Sequence, residues 1–156
     1  MKNKLSKKLV VLVLLMLFSV TKSMATCTVY FFVDFRFWRS EYVVKVNGVD
    51  GFKLVPEVSK VIGETPMYKM VARKVIFNKE DTYVISCDCA TNHGTMTAEL
   101  NLNLEDGETY YVLFNAGMKN PFYAELLSEK DGMKYLKKAQ KSKHYTINED
   151  FVYEAK

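Results

Sequence analysis

The chain has 156 residues, of which 22 are basic, 18 are acidic and three are cysteines. An aromatic content of 13% argues against disorder and favours strands. Five of the lysines lie within the first 25 residues, so the rest of the chain has 17 basic against 18 acidic residues and a net charge of −1. We therefore expect no nucleic-acid partner, because that affinity depends on basic side chains that neutralise phosphates.

The first 25 residues predict a secretory signal peptide. Four lysines precede an apolar run over residues 9–18, and Ser23-Met24-Ala25 has small residues at the positions that a signal peptidase accepts. The run is too short to span a bilayer, so we expect an exported chain that starts at Thr26 and has no transmembrane span. Its location would be periplasmic, cell-surface or secreted. The alternatives are an uncleaved anchor helix and a lipid anchor on Cys27.

Residues 26–156 predict a single domain that begins with strands. Both faces of Cys27–Val33 are apolar or aromatic, which predicts a central strand covered on both sides. Further strands are predicted for residues 41–46, 52–56, 68–77 and 82–89, and the last two are expected to form a hairpin. Residues 57–66 have no clear periodicity and predict a linker.

The clearest pattern in the sequence covers residues 95–114. Apolar residues at the even positions from Met96 to Leu104 alternate with polar ones, which predicts a half-buried strand. An acidic turn containing Gly107 follows, and then a second apolar run, so the pattern predicts a β-hairpin. Five side chains are expected in its buried face: Leu100, Leu102, Tyr110, Val112 and Phe114.

The C-terminal part predicts a strand at residues 122–127, a helix near 131–142 and a strand at Tyr145–Tyr153. Met133, Leu136 and Ala139 recur at the spacing of one helical face, and Asp131 is suited to cap the helix. The predicted fold class is therefore an all-β sandwich with one short C-terminal α-helix. A small antiparallel β-barrel is the alternative.

Several of these segments together resemble a family of small exported bacterial envelope domains of unknown function. The segments are Tyr30-Phe31-Phe32, Val46-Asn47-Gly48, residues 107–112 and residues 126–136. The resemblance implies an immunoglobulin-like or transthyretin-like β-sandwich at the cell envelope, often lipid-anchored, and it implies no catalytic residues. The chain departs from the family in the residues before Cys27 and at Lys79-Glu80-Asp81, where a Pro-Gly type of turn would be expected.

The cysteines are the first candidate site. Cys87, Cys89 and His93 are three residues of types that bind zinc or copper, but no fourth ligand is evident, so they are weak candidates for a metal or thiol site. Export would favour disulfides. Cys87 and Cys89 lie two apart in a strand and would be strained as a pair, so Cys27 is expected to bridge to one of them.

The predicted helix carries a second candidate site. Lys134, Lys137, Lys138 and Lys141 form the densest basic cluster after residue 25 and could bind anions, although such clusters are more often a solvated helix face.

The function predicted from these observations is a non-catalytic binding or structural component of the bacterial cell envelope. We predict no cofactor, and an unidentified envelope protein or glycan as the partner. An enzyme with a Cys/His metal or thiol site and a carrier of small hydrophobic ligands are the alternatives. An internal cavity would favour the carrier, whereas a packed sandwich would favour the binding component.

Overall fold

The computed structural model describes residues 26–34, 41–91, 94–116 and 122–155. Its elements are, in chain order, β1 (Cys27–Val33), β2 (Tyr42–Val46), β3 (Val49–Leu54), β4 (Val58–Ile62), β5 (Thr65–Tyr68), β6 (Met70–Phe77), β7 (Asp81–Thr91), β8 (Gly94–Leu104), β9 (Thr109–Asn115), β10 (Tyr123–Leu126), α1 (Glu129–Lys141) and β11 (Tyr145–Tyr153). The predicted all-β class with one short helix near the C-terminus is confirmed. The predicted signal peptide at residues 1–25 lies outside the described residues.

Two sheets provide the main architecture. The five-stranded sheet has the order β10-β9-β1-β6-β11 and is mixed, because β1 runs parallel to β9 and β11 runs parallel to β6. The four-stranded sheet has the order β3-β2-β7-β8 and is antiparallel throughout. Within the described residues both sheets are open, so the sandwich prediction is confirmed and the barrel alternative is wrong.

The interior between the two sheets is filled by aromatic and aliphatic side chains. Phe31 of β1 packs on Phe52 of the facing sheet, with ring centroids 5.1 Å apart. Phe77 of β6 packs on Tyr83 of β7 at 5.0 Å. These contacts between the sheets remove large apolar areas from water, which is the main source of stability in such a core.

An arginine links the sheets at one side of this interior. The Arg73 guanidinium donates hydrogen bonds to the Lys53 carbonyl of the four-stranded sheet at 2.6 Å and to the Glu149 carbonyl of β11 at 2.9 Å. It also lies over the rings of Phe52 and Phe151. Partial burial lowers the pKa of Arg73 from its ordinary value, and the two carbonyl oxygens supply acceptors for its N–H groups.

The helix α1 covers the outer face of the five-stranded sheet. Phe32, next to Phe31 in β1, points outward and packs on Tyr135 of the helix. β1 is therefore central and covered on both sides, as predicted. The helix begins at Glu129, two residues earlier than predicted, because the Ser128 side chain is the N-cap and accepts a hydrogen bond from the Asp131 N–H.

Both predicted hairpins are wrong, although their strands exist. β8 belongs to the four-stranded sheet and β9 to the five-stranded sheet, so the turn at residues 105–108 crosses between the sheets; β6 and β7 are divided in the same way. Strands that face each other across a core and strands that pair side by side have the same alternation. Of the five side chains expected to be buried, Leu102, Val112 and Phe114 are buried, and Leu100 and Tyr110 are half-buried.

The predicted linker at residues 57–66 is also wrong, because most of it is extended and paired. β4 and β5 form a two-stranded sheet of their own, which we call the ribbon. Gly63 lies in the turn between them with a φ of 61°, a conformation that glycine adopts without strain. The ribbon connects β3 of one large sheet to β6 of the other.

Candidate binding surfaces

The cysteines predicted as a metal or thiol site point into the core. Cys87 and Cys89 are both on the inner face of β7, opposite Ala98 and Met96 of β8, and both are buried. Burial raises the pKa of the Cys87 thiol well above its ordinary value, and the neighbouring Cys89 raises it further. A protonated, buried thiol is neither a nucleophile nor a metal ligand. His93 lies outside the described residues, and the described residues contain no group of three or more side chains suited to hold a metal.

The predicted bridge from Cys27 is not present, and all three cysteines remain thiols. The Cys27 thiol donates to the Glu105 carbonyl at 3.1 Å, and burial, followed by Asp106 and Glu80, raises its pKa. Cys27 therefore lies at the end of the sandwich where β7 begins. Cys87 is seven residues beyond Glu80, about 20 Å along an extended strand, whereas a disulfide needs Cα atoms within about 7 Å.

The lysine cluster of α1 is partly neutralised by the chain itself. Lys134 pairs with Asp131 at 2.8 Å, and Lys138 lies 3.6 Å from Asp34 at the end of β1. The Lys138 ammonium also lies over the rings of Tyr135 and Tyr145. Lys137 and Lys141 are exposed and form no ion pair with another described residue. An anion would therefore meet two available lysines rather than four.

Tyr135 is held by the same group of contacts. Burial, followed by the nearby Asp34 carboxylate and the hydrogen bond to it, raises the pKa of Tyr135 to about 12. The phenol consequently stays protonated and donates to Asp34 at neutral pH. This arrangement attaches the helix to the end of β1, so Lys138 has a structural role.

A groove runs between α1 and the five-stranded sheet, and we call it the helix groove. Its volume is about 210 Å³. The apolar walls come from Tyr30, Ala72, Leu136, Ala139 and Ile147, and the ion pair between Lys74 and Asp150, 3.2 Å apart, lies at its rim. Ile147 is the exposed member of this apolar wall, with 59% of its surface accessible. The groove is large enough for one side chain of a partner, but it is smaller than a typical pocket for a drug-sized ligand.

A wider cleft of about 400 Å³ lies at the end of the sandwich, beside the turn between β2 and β3. Asp50, Asp81 and Glu154 line it together with Lys79 and Tyr153. Lys79 pairs with Asp81 at 3.2 Å, and a hydrogen bond from the Thr82 N–H, followed by Lys79, lowers the pKa of Asp81. These contacts are local to the turn, so we interpret the cleft as a solvated end of the sandwich.

The outer face of the four-stranded sheet is polar. Asp88 accepts hydrogen bonds from Lys45 at 2.7 Å and from the Thr97 hydroxyl at 2.7 Å, and the hydrogen bond from Lys45 is the main reason that its pKa is lowered. On the same face, the Thr82 hydroxyl donates a hydrogen bond to the Asn103 side-chain oxygen of β8. The alternation in residues 95–104 predicted this polar face correctly, and its groups are largely paired with one another.

The ribbon exposes more large apolar residues than any of these surfaces. Every residue of β4 is exposed, and Val58, Val61 and Ile62 are at least half exposed. The sequence contained a signal for it, because β-branched residues on both sides, Val58, Val61 and Ile62 before and Thr65 after, flank a turn with Gly63. The absence of simple alternation concealed it, since β4 contains an irregularity between Val58 and Lys60.

No family model, curated protein or solved structure matches this chain. Among the described residues, no helix has both the length and the apolar character needed to cross a membrane. The surfaces themselves therefore carry the functional interpretation.

Proposed function

We propose that this protein is an exported, non-catalytic binding component of the bacterial cell envelope that binds its partner through its outer surface. The observation that carries the proposal is the filled interior. Phe31 contacts Phe52 of the facing sheet and Phe114 of its own sheet, with ring centroids 5.1 and 6.1 Å apart, respectively. A carrier needs that space for its ligand, so the packed sandwich favours a protein that acts at its surface.

The chemistry of the cysteines favours binding over catalysis. The burial of Cys87 and Cys89 keeps both side chains away from any substrate, and the raised pKa of Cys87 keeps that thiol protonated. An enzyme that used either thiol would have to open the sandwich to do so. The enzyme alternative thus requires a rearrangement that the binding proposal does not.

The geometry around Thr26 supports export with cleavage before this residue. The Thr26 nitrogen lies 2.8 Å from an Asp106 carboxylate oxygen, so the ammonium group created by cleavage would have an acidic partner in place. Cys27, the next residue, is buried at the start of β1. A lipid on its sulfur would not fit there, so the structure supports processing at Thr26 over the lipid-anchored alternative.

Photo-crosslinking in intact cells tests the binding function. A photoreactive amino acid would replace Val61 in the ribbon, Ile147 in the helix groove and, as the matched control, Asn101 on the polar outer face of β8. We expect a discrete adduct from Val61 or Ile147 and none from Asn101. No adduct from either apolar position, together with tight binding of an apolar fluorescent ligand to the purified protein, would favour the carrier.

A further inference from the structure

The outer edge of β4 has no strand beside it among the described residues. β4 pairs with β5 along one edge only, and no backbone hydrogen bond joins Val58–Ile62 to any other described element. The N–H and C=O groups on the other edge can therefore pair with an added strand. Such strand addition gives affinity through the backbone and specificity through the flanking side chains.

Hydrogen bonds to other described residues hold the ribbon at its base, and none of them is to β4 itself apart from its pairing with β5. The Glu57 N–H donates to the Thr146 hydroxyl of β11 at 2.8 Å, and the Lys69 N–H donates to the Glu57 carbonyl at 2.8 Å. Beyond these bonds the ribbon is a two-stranded sheet, and sheets of this size are marginally stable in water. A third strand would cover the exposed Val61 and Ile62 and would stabilise the ribbon.

The register of the ribbon assigns its side chains to two faces. Val58 lies opposite Tyr68, and Val61 lies opposite Pro66, so these four residues share one apolar face. Lys60 lies opposite Met67, and Ile62 opposite Thr65, so both are on the other face. The irregularity after Val58 produces this division, because one extra residue shifts the faces of a strand.

Lys60 determines which strand fits. It forms no ion pair with another described residue, and it is the middle residue of β4. If two copies of β4 paired antiparallel about their centres, Lys60 would face Lys60, and like charges directly opposite each other are destabilising. A carboxylate at the same position of a different strand would be attracted to the ammonium group.

We propose that the outer edge of β4 binds an extended segment of another protein by strand addition, with a carboxylate opposite Lys60 and aliphatic residues opposite Val61 and Ile62. This inference rests on the proposed binding function and names the kind of partner. Lys60 then has two effects: it disfavours self-association through β4, and it selects an acidic partner strand.

Two synthetic peptides test the proposal. Thr-Val-Val-Glu-Thr-Val-Thr places a carboxylate opposite Lys60 in the antiparallel register, and Thr-Val-Val-Lys-Thr-Val-Thr is its charge-reversed control. Hydrogen exchange of the amides in Val58–Ile62 should slow when the acidic peptide is added. From the strength of cross-strand and surface ion pairs, the basic peptide should bind about twofold to fivefold more weakly.

Charge exchange in the protein provides the second arm. Lys60→Glu should reverse the preference between the two peptides, whereas Lys130→Glu, at the first turn of α1, should leave it unchanged. Unchanged exchange in β4 with either peptide would overturn the proposal, and so would protection that appears on concentrating the protein alone, because a second copy would then be the occupant. If position 147 still forms its adduct in cells while neither peptide slows hydrogen exchange in β4, the binding function stands and strand addition is rejected.

Discussion

Gly132 is the residue at which α1 approaches the sheet most closely, and Gly132→Ala should destabilise the protein. A Cβ at this position would lie 2.5 Å from Tyr111 Cβ and closer still to its Cγ and Cδ2. Real Cβ atoms do not come that close to other atoms, so the helix or the ring would have to move. Tyr111 cannot move easily, because its ring stacks on Tyr30 and its hydroxyl donates to the Met133 sulfur.

Two opposing effects set the magnitude. Alanine is about 1 kcal/mol more favourable than glycine inside a helix. Overpacking of a well-packed contact costs about 1–3 kcal/mol. An overlap this deep, with Cβ and two ring atoms of Tyr111, places the cost in the upper half of that range, so we expect a net loss of about 1–2 kcal/mol and a fall in melting temperature of roughly 3–8 °C.

The assay is thermal and urea unfolding of four proteins: the parent, Gly132→Ala, Tyr111→Gly and the double variant. When Tyr111 is replaced by glycine, Cβ and the ring are both absent and the overlap disappears, so Gly132→Ala should then stabilise the protein through helix propensity alone. Gly132→Ala should thus destabilise the parent protein but stabilise the Tyr111 variant, and a double-mutant cycle measures this difference. A stabilising effect of Gly132→Ala in the parent protein would refute the close packing of α1 on Tyr111.

Three further predictions follow from the core and the chain start. Leu102→Ala should lower the free energy of unfolding by about 2–5 kcal/mol, whereas Asn101→Ala on the polar face should change it little; equal effects in urea unfolding would contradict the assignment of faces. Folding raises the pKa of the Cys87 thiol, so this thiol ionises near pH 9.0 only in the unfolded chain. The free energy of unfolding should therefore fall as the pH rises above that value. Cys87→Ala should make this fall shallower, and an unchanged pH dependence would count against the buried thiol. Asp106→Asn should destabilise a chain that starts at Thr26 by about 0.5–1 kcal/mol and the uncut chain by less, because only the former has an ammonium group at Thr26.

The strands and their faces could be predicted because burial on one side leaves a period of two in the sequence. Cys27–Val33, apolar on both faces, was recognised as a central strand, and the helix was placed within two residues of its actual start. The pairing of strands could not be predicted in the same way. Turns at residues 78–80 and 105–108 join the two sheets rather than adjacent strands, and nothing in the alternation distinguishes these arrangements.

Bulges account for another part of what the sequence did not reveal. In β11, Tyr145 and Ile147 face outward toward α1, whereas Phe151 and Tyr153 face the core, although all four are at odd positions. One extra residue between Asn148 and Phe151 changes the face. The irregularity in β4 concealed the ribbon for the same reason, and with it the surface that now carries the strand-addition proposal.

The cysteines show where chemical reasoning from the sequence fails. Cys87, Cys89 and His93 are close in sequence and of the right types for a site, but the alternation of a strand places Cys87 and Cys89 together on the inner face. The position of Cys27 relative to Cys87 and Cys89 depends on how the two sheets are aligned with each other along their strands. That arrangement depends on tertiary packing, which spacing along the chain does not encode.

Export with cleavage before Thr26 is the claim on which the proposed role at the envelope depends, and intact-mass measurement tests it most directly. The protein would be expressed from its full sequence, recovered from the extracytoplasmic fraction and weighed without digestion. We predict a mass that corresponds to residues 26–156 with three unmodified thiols. A lipid-modified Cys27 would contradict cleavage before Thr26, and a chain that retains Met1 and stays in the cytoplasmic fraction would contradict export itself.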